Sequence, residues 1–204
     1  DTWVVGQFLG SDALAAVGSS YTLMTFLTSI LLGLCMGSGA AFSMQYGKKD
    51  YERLKCCMFE SFVLIAGIAL FVNLVFLGLD GIVWLLQTPA EIVGLMKEYL
   101  WVIFWGLVAI FLYNYFANLL RAVGNSVVPL VFLGTSAVLN VVLDLVCVLV
   151  FHWGVAGAAI ATVFSQALSV VLCVVYLARN DFIFDFKLSS FRLHMDKLRL
   201  IFRF

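Results

Sequence analysis

Charge and proline are what this sequence has least of. Only 12% of its 204 residues are Asp, Glu, Lys or Arg, and only two are proline. Soluble domains carry about 25% charged residues. A chain that is 64% hydrophobic, with a mean hydropathy of +1.08, lacks the polar surface to cover a globule in water. The composition points instead to an all-α integral membrane protein, a multi-helix transmembrane bundle. The formal net charge is zero, and no basic cluster argues for a nucleic-acid partner. Enzyme signatures are missing as well. There is no phosphate-cradling glycine loop, no paired histidine and no nucleophile beside a base, so no catalytic residue is expected. The five cysteines include no CxxC, and adjacent Cys56 and Cys57 do not suit an ordinary disulfide. They read as small buried hydrophobes.

Long apolar runs are what the chain has most of. A membrane-spanning helix needs roughly 20 apolar residues. Residues 13–47 contain no charge at all; residues 56–79, 99–120, 126–150 and 155–178 supply four more runs, the 99–120 run starting nearer Ala90. With a residual helix at 1–9, five complete spans and one partial span are expected. The opening DTWVVGQFLG reads as the end of a helix already under way, so a fragment, or a chain clipped at both ends, is expected. Thr88-Pro89-Ala90-Glu91 offers an N-cap threonine, a proline at the first helical position and a glutamate three residues after the cap. The loops are lopsided. Lys48, Lys49, Arg53, Lys55, Arg121 and all the basic residues from Arg179 onward fall on one side, and only Lys97 falls on the other: eleven of twelve. The positive-inside rule puts that side in the cytoplasm. The two histidines, His152 and His194, then lie on opposite faces and cannot share a metal. Residues 181–204 space Phe191, Met195, Leu198 and Phe202 helically among Arg and Lys, as in a basic amphipathic segment on the cytoplasmic leaflet. A linker to a following span is compatible with that.

Polar side chains inside the spans are the functional candidates. From Ala122 to Ala178 the only formally charged residue is Asp144, in VLNVVLDLV. A carboxylate near the bilayer centre costs at least ~2.5 kcal/mol on insertion scales, and such residues ordinarily face a polar cavity and serve ions, protons or substrate. Asn140 precedes Asp144 by four residues and shares its helix face. The alternative for Asp144 is a structural hydrogen bond to a neighbouring helix. Asp1, about ten residues before the turn at Ser11-Asp12, falls on the order of 15 Å below the outer surface, near the depth of Asp144. Two acids at matched depth can share a proton or a sodium ion; no other metal and no cofactor are expected. Glu60, one turn past Lys55, reads as a local ion pair. Asn114 and Gln166 are candidates for a substrate cavity; the alternative, shared with Asn73 and Asn118, is hydrogen bonding between helices. Gly33, Gly37 and Gly39 offer a small-residue face for close helix packing. The aromatics from Trp101 to Phe116 form either a wall for flat lipophilic cations or a lipid-facing surface.

Several of these stretches together resemble one family. DTWVVGQFLGSDALAAVGSS resembles the first-helix and second-helix opening of the multidrug and toxic compound extrusion (MATE) transporters. MQYGKKD resembles the family's Gln-x-x-Gly after the second helix, and LLRAVGNSVVP its Arg-x-x-Gly-Asn loop before the fifth. LNVVLDLVCVLVFHWGVAGAAIATVFSQ resembles its fifth and sixth helices. The resemblance covers nearly all of residues 1–180. It implies one six-helix lobe of a two-lobed transporter, with residues 181–204 leading to a missing second lobe. It also implies export of organic cations and drugs across the plasma or inner membrane, by alternating access, in exchange for protons or sodium. Asp1, Asn140 and Asp144 match the family's cation-linked cluster, and Tyr99 joins it by position at the outer start of the fourth helix. The partners so implied are membrane lipids, an organic-cation substrate, and a second lobe or a second copy of this chain. Two alternatives stand beside this: a lipid-linked precursor flippase, disfavoured by the lack of mid-membrane arginine, and a non-transporting membrane scaffold.

Overall fold

The computed structural model describes residues 2–75, 78, 81 and 89–179. Asp1, Thr88, His194 and the basic segment 181–204 lie outside them. Inside a bilayer every backbone N–H and C=O must be satisfied within the protein, and an uninterrupted apolar run meets that condition as a helix. The elements are α1 (Thr2–Phe8), α2 (Ser11–Gly47), α3 (Tyr51–Val75), α4 (Ala90–Ala122), α5 (Val127–Leu145) and α6 (Gly154–Arg179), with a π-helical turn at Val146–Val150 continuing α5. Among the described residues, five helices are long and apolar enough to cross a membrane: α2, α3, α4, α5 with its π turn, and α6.

The helix ends follow local chemistry. Gly10 breaks α1 from α2 with φ of 91°, a left-handed backbone that glycine adopts without strain. Asp50 opens α3: its carboxylate accepts the Arg53 backbone N–H at 3.1 Å and pairs with the Arg53 Nε at 3.3 Å. That cap starts α3 at Tyr51, five residues before the expected limit of 56. Pro89 is the N-cap of α4, with ψ of 138°, and Ala90 is the first helical residue. The expected cap at Thr88 is therefore displaced by one: the extended ψ keeps proline just outside the first turn. Asn125, one residue before the Ser126 N-cap of α5, accepts the Val128 N–H with its Oδ1 at 3.2 Å while its Nδ2 donates to the Tyr176 hydroxyl of α6 at 2.9 Å.

Helix α4 is the axis of the bundle, packed against α2, α6 and α3, whereas α5 packs mainly on α6, and α1 touches α2, the π turn and α6. The aromatic stretch of α4 divides by helical phase. Phe104, Phe111, Tyr113 and Tyr115 are buried, while Trp101 and Trp105 are 49% and 67% exposed. Tyr115 anchors α4 to α3 by donating to the Met58 carbonyl, with Ser61 beside it at 3.4 Å. Phe42, Phe62 and Phe111 surround its ring.

Of the small-residue face on α2, Gly39 does pack tightly: a Cβ there would meet Asn118 of α4 at 3.2 Å, whereas one at Gly33 would meet open space. Lys55 pairs with Glu52 at 3.7 Å, where the i,i+3 spacing brings the two together, and Glu60, the partner expected for Lys55, is buried at 1% exposure. Four cysteines are buried, Cys56 is half-buried, and no disulfide joins the five.

Helices α4 and α6 cross closely at a glycine. A Cβ at Gly106 would sit 2.5 Å from Val163 Cγ2. Gly106→Ala is expected to destabilise the bundle by ~1–3 kcal/mol through overpacking, and Gly106→Ala with Val163→Ala should recover most of that. Thermal unfolding in detergent measures both; equal losses in the single and double variants would place the crossing elsewhere.

Candidate functional site

The site is built on α5. Asn140 and Asp144 lie four residues apart, so one turn of helix puts both on one face. Asp144 is 0% exposed and is the second-last residue of the α-helical part. The π turn begins two residues later. Such turns are rare and frequently accompany functional sites. Here the turn meets the start of α6: a Cβ on Gly157 would lie 3.1 Å from the Cys147 Cβ and 3.3 Å from the Cys147 carbonyl oxygen. The run GVAGAAIAT explains the approach. Gly157, Ala158, Ala159 and Ala161 are all buried and small enough to bring the α6 backbone against α5.

That approach places Thr162 opposite Asn140. The Asn140 Nδ2 donates to Thr162 Oγ1 at 3.2 Å, and that hydroxyl donates onward to the Ala158 carbonyl at 3.1 Å. From α4 the buried Tyr99 brings its phenol close enough to Asp144 to feel the carboxylate's charge. Three helices thus contribute a carboxylate, an amide, a hydroxyl and a phenol to one interior region.

Beside Asn140, a groove of about 220 Å3 runs between α5 and α6, lined on its polar side by Ser136, Asn140, Thr162, Ser165 and Gln166. Ser136 Oγ donates across it to the Ser165 carbonyl at 2.8 Å. The groove is lined by no formally charged residue.

Of the residues expected from sequence, Asn140 and Asp144 share one face of α5, Tyr99 is buried within electrostatic range of Asp144, and Gln166 shares the groove with Asn140. Asn114 stands on α4, outside the lining of that groove, with its Nδ2 donating to the Ile110 carbonyl at 2.8 Å. Asp1 lies outside the described residues. Ser136, Thr162 and Ser165 are site residues that sequence reasoning misses. Thr162, Ser165 and Gln166 fall at i, i+3 and i+4, one face of α6, and Ser136 precedes Asn140 by four; that polar stripe is the available signal. Chemically, oxygen-bearing side chains around a carboxylate in a low-dielectric interior suit a proton or a small hard cation. Among the described residues no cluster of His, Cys, Asp and Glu has the makings of a transition-metal site.

A bundle of this topology, with a polar site inside its membrane-spanning helices, defines a polytopic membrane protein. The MatE family model matches residues 1–146, and the chain belongs to the MatE family. It is 32% identical over 184 residues to the probable multidrug resistance protein YpnP of Bacillus subtilis (strain 168), covering 90% of this chain and 41% of the relative. Among solved structures, it superposes on the inward-facing conformation of a multidrug resistance MATE family transporter of the MOP superfamily with a TM-score of 0.92 at 26% identity, over 99% of this chain and 46% of that one. On an outward-facing conformation of such a transporter the TM-score is 0.91 at 25% identity, over 99% and 45%. The chain spans less than half the length of the relatives it matches, consistent with one lobe of a two-lobed protein.

The Asn140–Thr162 contact joins α5 to α6, and polar contacts between membrane helices average about 0.6 kcal/mol. Thr162→Val and Asn140→Ala are each expected to lower stability by about that amount, with a coupling of similar size in a double-mutant cycle. Strictly additive losses would mean that the two side chains do not interact.

Proposed function

We propose that residues 1–180 form the N-terminal lobe of a cation-coupled antiporter that exports organic cations and drugs by alternating access, with protons or sodium as the coupling ion. Residues 181–204 would serve as an interfacial linker to a second lobe, or to a second copy. The single observation that carries this reading is Asp144, a fully buried carboxylate on a helix with no other formal charge, within electrostatic range of Tyr99 and on the same face as Asn140.

The physical logic is that of a site whose charge changes with its ion. Low dielectric penalises a bare carboxylate, so loading a proton or cation at Asp144 alters the field felt by Tyr99 on α4 and by the α5–α6 contact. A two-state protein shifts toward whichever state binds the ion better. Asp1, at matched depth by its distance from the Ser11-Asp12 turn, would share that ion. The groove lined by Asn140, Ser136 and Gln166 would give substrate polar contacts without fixed charge, and Asn114 remains a candidate for the cavity side of α4. Similarity to both inward-facing and outward-facing transporters, at nearly equal TM-scores, supports a lobe that moves as a unit. The basic residues at the α2–α3 and α4–α5 connections and at Arg179 favour a cytoplasmic position for those ends in the plasma or inner membrane.

The test uses the complete parent protein in liposomes loaded with a fluorescent organic cation. A proton or a sodium gradient imposed separately should drive dye movement for one ion, and Asp144→Asn should abolish it. Undiminished gradient-driven transport by Asp144→Asn would make the carboxylate structural. If neither gradient moved the dye, the scaffold reading would gain.

A further inference from the structure

Helix α5 is fastened on one side of Asp144 and irregular on the other. Before Asp144 in the chain, three side-chain bonds tie it to its neighbours. The Tyr113 hydroxyl of α4 donates to the Pro129 carbonyl at 2.9 Å, Ser136 Oγ donates to the Ser165 carbonyl of α6 at 2.8 Å, and Asn140 Nδ2 donates to Thr162 at 3.2 Å. After Asp144 the winding changes. In the π turn at Val146–Val150 the Phe151 N–H donates to the Val146 carbonyl, five residues back, at 3.1 Å. The Trp153 N–H reaches the Cys147 carbonyl, six residues back, at 3.0 Å.

A single π turn holds one residue more than the α-helical turn it replaces. Rewinding it to α geometry moves each carbonyl's partner from five residues ahead to four. Backbone groups stay satisfied in either winding, as a membrane interior demands. What changes is direction. At about 3.6 residues per turn and about 1.5 Å of rise, one residue of slip turns everything beyond it by about 100° and shifts it by about 1.5 Å. Three features lie where that shift would be felt. His152 and Gly154 both have left-handed backbones, with φ of 53° and 59°, so the connection to α6 already carries strain at the histidine. Cys147 is buried against the α6 backbone at Gly157. Helix α1 packs on the π turn itself, with Val4 and Val5 buried.

We propose that the Val146–Val150 turn is a one-residue slip element that carries the state of Asp144 to α1 and to the connection before α6. This rests on the ion-loading role proposed for Asp144, which lies two residues before the turn. Tyr99 of α4 and Cys147 of the turn are the titratable groups that the described residues place in electrostatic range of Asp144. Helix α1 over Thr2–Phe8 and α6 up to Arg179 bring no formally charged side chain toward it. A change of charge at Asp144 therefore meets no fixed opposite charge among them. The segment before Asp144 is held by its three bonds, so the response falls on the turn after it. Loading favours whichever winding binds the ion better.

The experiment titrates the affinity of the detergent-solubilised full-length parent for ethidium against proton and then sodium concentration. It compares wild type with Gly157→Cys, oxidised and then reduced, and with a deletion of Leu149. A Cβ at position 157 would lie 3.1 Å from the Cys147 Cβ, and a disulfide spaces these atoms by about 3.5–4.5 Å. A shift of a few tenths of an ångström thus lets oxidation join the two thiols and hold the turn in its π winding. Peptide mapping verifies the bond. The deletion removes the extra residue and fixes the α winding instead. The oxidised variant and the deletion are each expected to bind ethidium with an affinity that no longer responds to the ion, and reduction should restore the response of Gly157→Cys. A full response in the oxidised variant or in the deletion would overturn the slip while leaving the role of Asp144 intact. So would a response that reduction fails to restore, or a disulfide that does not form, since Cys147 would then not face position 157. Wild-type binding indifferent to both ions would overturn the function and the slip together.

Discussion

A carboxylate held inside a membrane constrains everything packed around it. Asp144 is fully buried, and even on lenient scales a charge at that depth costs a few kcal/mol. The surroundings answer that cost in kind. Helix α4 brings the Tyr99 phenol near, Asn140 stands one turn away on the same helix, and α6 comes close enough for Thr162 to meet Asn140 at 3.2 Å. Each contribution needs a helix at a particular distance from α5, so one side chain ties the placement of three spans together.

Small residues make those distances possible. On α6, Gly157 and the alanines after it let the backbone approach the π turn that follows Asp144. On α4, Gly106 sits where Val163 of α6 leaves no space for a methyl group, and Gly39 of α2 packs closely on Asn118. Without a hydrophobic effect between helices in lipid, close packing and a few interhelical hydrogen bonds hold the bundle. Ser136 to Ser165, Tyr113 to Pro129, and Tyr115 to Met58 are three such bonds, and together they link α3, α4, α5 and α6.

Much of this is legible in the sequence because composition alone fixes membrane helices: a run of apolar residues long enough to span can do little else. The spans, the isolation of Asp144 and its pairing with Asn140 by helical spacing all come from that. Where sequence falls short, tertiary context or local capping decides. The Asp50 cap moves the start of α3 to Tyr51, and the extended ψ of Pro89 moves the start of α4 by one residue. Thr162 and Ser165 are easily passed over because hydroxyls in membrane helices so often bond to their own backbone, as Ser20 and Ser38 do here. The aromatic stretch of α4 reads as one surface, but its helical phase buries Tyr115 and turns Trp105 outward. Glu60 is buried, and nothing in its immediate sequence marks it for the interior.

The central claim of the proposed function is that loading an ion at Asp144 is coupled to organic-cation binding by the parent protein. Its most direct measurement is the affinity of the detergent-solubilised parent protein for an organic cation, titrated against proton and then sodium concentration. The account predicts that rising concentration of one of these ions weakens cation binding. It predicts that Asp144→Asn removes this dependence and that Glu60→Gln, at the other buried carboxylate among the described residues, preserves it. Cation binding that is indifferent to both ions in the wild type, or a dependence that survives Asp144→Asn, would contradict it.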